Sequence, residues 1–191
     1  MTIQIETERM ILKTGVVEDL SEIVSYFQRN KSFLAPFEPI QPDIFYTKAK
    51  QREVMKNDFL EWKEEKSLRL WLFEKSKPQR VIGSIRFANV VRGAFQSCFL
   101  GYRLDQDCER KGLMTEALRE AIPLAFDRLH LHRIEANVMP RNLASRRVVE
   151  KLGFRQEGLA KRYLNIYGKW EDHIHYAIVR EEWKGEWKDG E

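Results

Sequence analysis

Residues Leu100 to Leu118 constrain the fold most tightly. An apolar run from Leu100 to Leu104 reads as a short strand and a charged turn ends in Lys111-Gly112, after which Leu113, Ala117 and Ala121 recur at helical spacing. A strand that feeds a helix through a glycine leaves the first N–H groups of that helix unpaired, at the positive end of its dipole. Glycine lets another molecule approach them, so the stretch predicts an anion site of pyrophosphate size.

The elements around it predict one mixed sheet. Glu8 to Lys13 alternates as a strand with Met10 and Leu12 on one face, and a helix follows through Leu20, Ile23, Val24 and Phe27. Phe33 to Tyr46 carries three prolines among large apolar side chains, which predicts an irregular connection that covers a core or lines a cleft. Thr47 to Lys66 holds no proline or glycine and predicts a long amphipathic helix with Val54, Met55, Phe59 and Trp62 on its stripe. Leu68–Phe73, Val81–Val91 and Phe95–Leu104 predict a meander of strands. A third helix spans Thr115–Leu129, with Pro123 expected to kink or loosen it, and Arg133–Met139 is the next strand. Asn142–Leu152 is a fourth helix closed by Gly153, and Phe154–Ala160 and His173–Val179 are the last strands. The order is β-α-α-β-β-β-α-β-α-β-β, an α/β (α+β mixed sheet) class. If Phe95–Leu104 and Arg133–Met139 lie side by side and splay, a cofactor can pass between them onto the third helix. Residues 1–182 are expected to be a single domain, and 183–191 a frayed tail.

Composition narrows the function classes. In 191 residues, hydrophobic side chains make up 43% and charged ones 32%, as in a globular chain with a real core. No apolar run reaches the roughly 20 residues that span a bilayer, and the first residues lack a basic flank before an apolar stretch, so the expected location is cytoplasmic, with no membrane partner. Cys98 and Cys108 make no disulfide framework. Thirty-three Lys and Arg against 29 Asp and Glu give +4, which is weak support for an anionic partner; the one small basic cluster is Arg141, Arg146, Arg147 and Lys151.

Several segments together resemble the GNAT acetyltransferases. They are Gly112-Leu113-Met114-Thr115-Glu116-Ala117-Leu118, His132 through Asn142, Leu152-Gly153-Phe154, Glu157-Gly158 and Gly168-Lys169-Trp170-Glu171-Asp172-His173. Within that family the chain is most similar to the RimJ/RimL-type ribosomal-protein-alanine N-acetyltransferases, nearer the RimJ branch, and the opening Thr7–Lys13 and the loop Phe33–Pro39 fit as well. The resemblance implies acetyl-CoA as co-substrate without a metal, and a sheet split by it. It also implies a primary amine as acceptor, for this branch the N-terminal amine of a ribosomal protein, with contact to ribosomal RNA as a further expectation and a monomer or homodimer as the assembly. The superfamily's loop pattern falls on Glu109 through Met114, with Glu109 a departure from it, so the backbone from Arg110 to Thr115 is expected to do the binding. The glutamate base of the RimL side corresponds here to Leu164.

Acetyl transfer to an amine needs a bound donor, a neutral amine, an oxyanion partner and an acid for the thiolate. A backbone N–H near Gly101 to Arg103 suits the oxyanion. The expected cofactor contacts are Tyr102, Arg103, Leu104, Arg110, Lys111, Gly112, Leu113, Met114, Thr115, Asn142, Ser145 and Arg147. Asn142 reads equally as a helix N-cap or, by the resemblance, as a pantetheine contact, and Ser145 is the expected acid. Glu135 and Asp172 are the candidate bases, with Tyr102 and His173 behind them; Glu135 could instead pair with an arginine, and Asp172 could orient a loop. Arg146, Arg147 and Lys151 could hold a 3′-phosphate or form a solvated face. The rival functions are acetylation of a polyamine or antibiotic, and a non-catalytic module that binds acetyl-CoA or the ribosome.

Overall fold

The computed structural model describes residues 2–184. Its strands are β1 (Gln4–Glu6), β2 (Met10–Lys13), β3 (Leu68–Glu74), β4 (Lys77–Val91), β5 (Ser97–Leu104), β6 (Arg133–Val138), β7 (Arg155–Ile166) and β8 (Lys169–Val179). The helices are α1 (Leu20–Arg29), α2 (Lys31–Leu34), α3 (Lys48–Lys63), α4 (Leu113–Arg128) and α5 (Leu143–Lys151). The strands form one sheet in the order β1-β2-β3-β4-β5-β6-β8-β7. Every pair is antiparallel except β5 with β6, which are parallel and joined by the α4 crossover.

That parallel pair is short. Ser97 faces Arg133, Cys98 faces Ile134 and Phe99 faces Glu135, and there the pairing stops, although β5 runs on to Leu104 and β6 to Val138. The remaining five residues of β5 and three of β6 therefore have no common ladder. The sheet is split at its centre, as the splay read from the sequence requires.

Alternation sorts the two faces of the split. Leu100, Tyr102 and Leu104 of β5 share a face with Ile134, Ala136 and Val138 of β6 and with Ile174, Tyr176 and Ile178 of β8; α4 and α5 cover it. Ala117, Ala121 and Ala125 of α4 are fully buried, and side chains this small let the helix lie close on the sheet. α4 runs without interruption from Leu113 to Arg128 with Pro123 inside it. The opposite face carries Gly101 and Arg103 of β5, Glu135 and Asn137 of β6, and His173 and His175 of β8. Here α1 brings Tyr26 and Phe27 against Trp71 and Phe73 of β3 in a second apolar cluster.

Five expectations need correction. A short strand β1 precedes the expected first one. The Phe33–Tyr46 connection is not irregular: it contains α2 and two 3-10 turns, Ala35–Phe37 and Asp43–Tyr46, with Pro36 placed where its missing N–H costs nothing. It is core and rim at once, since Phe33, Leu34, Phe45 and Tyr46 pack in the second cluster while Phe37, Ile40 and Ile44 stay exposed. On α3 Met55 and Trp62 of the expected stripe pack against the cores, but Phe59 is 51% exposed, Gln51 is fully buried with its amide donating to Phe45 O, and Asp58 and Glu61 meet Arg69 and Arg86 of the sheet. Finally, β7 and β8 reach the Tyr167-Gly168 turn and form a longer hairpin than expected. Trp183, read as the start of a frayed tail, is 6% exposed in the main core; the rest of that tail, 185–191, lies outside the described residues.

Candidate active site

The loop between β5 and α4 is built to stay in place. Asp105, 2% exposed, ends β5 and holds Arg29 Nε at 2.7 Å and Arg80 Nη2 at 3.2 Å, while its other oxygen accepts from Asp107 N–H. Burial pushes its carboxyl up, but the Arg29 hydrogen bond and the Asp107 N–H outweigh this and leave it below the usual carboxylate range. Arg110 (φ 59) and Gly112 (φ 75) are both left-handed, which turns the chain sharply on either side of Lys111. Such a turn gathers successive N–H groups into a concavity for an anion. The first α4 bond runs from Glu116 N–H to Gly112 O, so the N–H groups of Leu113, Met114 and Thr115 have no partner in the preceding turn.

A second set of contacts fixes the loop from behind. Glu116 accepts from Thr7 Oγ1 (2.5 Å), Arg9 N (2.9 Å) and Arg9 Nε (2.7 Å), and the Arg9 guanidinium also donates to Lys111 O at 3.0 Å. Burial raises the Glu116 carboxyl, but these donors together hold it below its ordinary value. Its charge is thereby spent on the β1–β2 turn rather than opposing an anion. Lys111 folds its ammonium back onto Asp107 O at 2.7 Å, and Leu113 and Met114 point into the core. These three of the expected contacts thus offer backbone N–H groups; the exposed Arg110 and Gly112 and the half-buried Thr115 complete the loop.

Across the split, α5 brings a hydroxyl to β5. Asn142 caps α5 by accepting from Ser145 N–H at 3.1 Å, so its N-cap role is real. The Ser145 hydroxyl lies 2.6 Å from the Tyr102 hydroxyl, which also donates to Ser145 O at 2.9 Å. Burial raises the Tyr102 phenol and the Ser145 hydrogen bond lowers it, with a net rise, so the phenol keeps its proton. Arg146 is taken by Tyr176 and Glu150, whereas Arg147 and Lys151 are exposed one turn apart on α5.

The candidate bases are occupied. Glu135 holds Arg133 Nε at 2.7 Å, and Arg133 also grips Glu157. Asp172 accepts from Arg162 N–H at 2.8 Å and secures a bulge in β7 where Arg162 is left-handed, the loop-orienting role. His173 Nδ1 faces Glu171 O at 3.0 Å, and burial pulls its pKa down; the Tyr163 ring packs on both His173 and His175. Among the described residues no cluster of three or more potential metal ligands occurs. Leu164 is 41% exposed and pairs across the hairpin with Glu171, so the carboxylate at that place is Glu171, bound to Arg141 at 3.0 Å.

Three side chains on the second face stand out that the sequence did not place in the transfer site, His175 having been noted there only as one of a same-face histidine pair. Asn137 Oδ1 and His175 Nε2, cross-strand neighbours in the splayed half, are buried without a hydrogen-bond partner among the described residues. Glu38, from the Phe33–Tyr46 connection, binds Arg103 Nε at 2.6 Å. Arg103 therefore spends its side chain on Glu38, while Leu104 packs with the core, and both can offer only backbone to a cofactor.

The arrangement fits a split sheet with an anion loop on one side, a shared hydroxyl pair in the gap and polar groups on the far face. Known proteins are similar to this chain in sequence and fold. The family described as acetyltransferase (GNAT) domain matches residues 9–155. A probable N-acetyltransferase, YjcK of Bacillus subtilis (strain 168), is 40% identical over 85% of this chain and 90% of its own. The [ribosomal protein uS5]-alanine N-acetyltransferase of Escherichia coli (strain K12) is 37% identical over 95% of this chain and 93% of its own. Mycobacterium smegmatis RimJ, solved in complex with CoA-disulfide, superposes with a TM-score of 0.87 at 28% identity, covering 95% of this chain and 88% of that one.

Proposed function

The chain belongs to the GNAT acetyltransferase family, and from that premise we propose that it transfers the acetyl group of acetyl-CoA to the N-terminal α-amine of a protein, an alanine-starting ribosomal protein above all. The observation that carries this reading is the loss of β5–β6 pairing beyond Phe99 and Glu135, which opens a slot between the anion loop and the second face. The pyrophosphate rests on the N–H groups of Arg110 to Thr115, and Arg147 reaches the 3′-phosphate. The pantetheine runs past Asn142 into the slot. A β5 backbone N–H near Gly101 to Arg103 meets the developing oxyanion, and the Ser145–Tyr102 hydroxyl pair supplies a proton to the departing thiolate.

An α-amine suits this site because its pKa is about 7.7–8.0, so a modest environment renders it neutral at pH 7, whereas a lysine amine near 10.4 needs much more help. A polypeptide acceptor also suits the rim, where Phe37, Ile40, Tyr167 and Trp170 stay exposed beside the hairpin tip, an apolar border that a small polycation would not use. Residues 1–182 act as one catalytic domain, and a ribosomal acceptor places the protein in the cytoplasm. Among the described residues no helix is long and apolar enough to cross a membrane. The test is free-thiol release from acetyl-CoA against a panel of N-terminal peptides, polyamines and aminoglycosides. Turnover confined to peptides with a free α-amine supports the proposal; turnover confined to the small amines overturns it.

A further inference from the structure

Glu135 lies opposite Phe99, where β5 and β6 still pair, and Asp172 is tied into the β7 bulge, so neither stands at the mouth of the split, yet an α-amine enters water largely as an ammonium at neutral pH. The second face of the split holds a carboxylate placed differently. Glu38 sits astride the opening: its carboxylate binds Arg103 of β5 at 2.6 Å, and its carbonyl accepts from Tyr167 N–H of the β7–β8 turn at 2.9 Å. Its neighbours make the same crossing, because Arg141, from the β6–α5 loop, donates to Pro36 O at 3.1 Å, binds Glu171 at 3.0 Å and lies over the Phe37 ring. Residues 36–38 thus bridge the mouth of the slot.

The space beneath is open and polar. A Cβ placed on Gly101, on the same face two residues before Arg103, would meet no heavy atom within 4 Å. Deeper in, Asn137 Oδ1, His175 Nε2 and the Tyr26 hydroxyl of α1 are buried polar atoms without a hydrogen-bond partner among the described residues. We infer that Glu38 takes the proton of the acceptor ammonium, directly or through one water, as the amine enters past the 36–38 bridge. This rests on the α-amine transfer proposed above.

The charges that face Glu38 are Arg103 from β5, which binds it, and Arg69 from β3; Tyr26 from α1 and Tyr46 from the connection lie within its field. Burial pushes the Glu38 carboxyl above the usual carboxylate range although both arginines pull it down, which makes it a better proton acceptor than an exposed glutamate. One ammonium proton passes to Glu38, and the freed nitrogen lone pair forms the C–N bond while the C–S bond breaks with its electrons on sulfur. The second N–H proton lost from nitrogen matches the one that the thiolate takes up, and Glu38 returns its proton to solvent.

The experiment compares Glu38→Gln and Glu38→Asp with the wild type on two acceptors: an alanine-starting peptide, and the same peptide with an aminooxy group in place of its α-amine, a nucleophile already neutral at pH 7. The inference expects Glu38→Gln to lower kcat/KM for the α-amine peptide at pH 7 by about 5- to 10-fold, the factor by which ammonium outweighs free amine there, and to move its acid limb upward toward the amine's own pKa. It expects the aminooxy peptide to change by less than about 3-fold, the KM for acetyl-CoA to hold, and Glu38→Asp to recover part of the loss. An equal loss on both acceptors assigns Glu38 a structural role and overturns the inference, as does an unchanged Glu38→Gln. A wild type that acetylates neither peptide overturns the α-amine reading beneath it, and the Glu38 role with it.

Discussion

Replacing Gly112 by valine separates the loop's part in folding from its part in binding. Gly112 sits at φ 75, ψ 0, a region that costs an L-residue roughly 1–2 kcal/mol and suits a β-branched one least. The protein itself leaves room, since an added Cβ would come no nearer than 3.7 Å, to the Arg9 guanidinium. Strain is then the whole folding cost, and at about 2–4 °C per kcal/mol for a chain of this size the Tm falls by about 2–8 °C. The binding cost is larger. The side chain stands at the edge of the N–H concavity, and losing one hydrogen bond to a charged phosphate is worth about 1.5–3 kcal/mol, so the KM for acetyl-CoA rises about ten- to hundredfold. Thiol release at saturating acceptor measures this, with kcat within a few-fold of wild type. Gly112→Asn is the control, because asparagine tolerates the left-handed region: its Tm should stay near wild type while the KM still rises. A Gly112→Val enzyme with unchanged KM would refute the backbone-cradle argument.

Three further perturbations test the rest of the site. Ser145→Ala and Tyr102→Phe should each lower kcat about tenfold with little change in KM, because each hydroxyl can partly replace the other, and the double variant should fall by about 10² to 10⁴; unaltered turnover in the double variant dismisses the pair as acid. Arg147→Ala should raise the KM for acetyl-CoA several-fold without affecting acetyl-dephospho-CoA, and an equal effect on both would separate Arg147 from the 3′-phosphate. Asp105→Asn should destabilise the fold by about 2 kcal/mol at pH 7, since it strands the partly exposed Arg29 and Arg80. The folded Asp105 binds a proton less readily than the unfolded one, so its stabilisation is complete above the unfolded value near 3.9 and is lost as pH falls toward the lower folded value. Acid titration of stability should therefore be shallower below about pH 4 in the variant; an identical acid limb would contradict the assignment.

What was legible in the sequence follows from where the information lies. The β5–loop–α4 unit could be read because apolar alternation gives way to a 3.6-residue period across Lys111-Gly112, all within nineteen residues of one stretch. The sequence named these two strands as possible neighbours that splay, and the structure adds that they pair in parallel. The length of the β7–β8 hairpin was not legible, because the residues between Lys161 and Asp172 are mostly exposed and mix aromatic with charged side chains: backbone ladders hold that hairpin, without a buried apolar stripe to announce it. The α3 stripe misled because Phe59 and Trp62 share a helical face with Asp58 and Glu61, and the sheet beneath offered Arg69 and Arg86 as partners. Ser145 and Tyr102 were named separately, but their 2.6 Å contact depends on how α5 packs over the splayed strand. Glu38 was invisible as a site residue, since nothing local to Phe37-Glu38-Pro39 tells that its carboxylate meets β5 while its carbonyl meets the far hairpin.

The most direct test locates the transferred group. The protein is incubated with acetyl-CoA and a ribosomal-type peptide that begins with alanine and carries an internal lysine, and the product is sequenced by tandem mass spectrometry. The split-sheet account predicts one acetyl group, on the alanine nitrogen, formed in step with free CoA thiol. An acetyl group on the lysine side chain, or thiol release without an acetylated peptide, would contradict it.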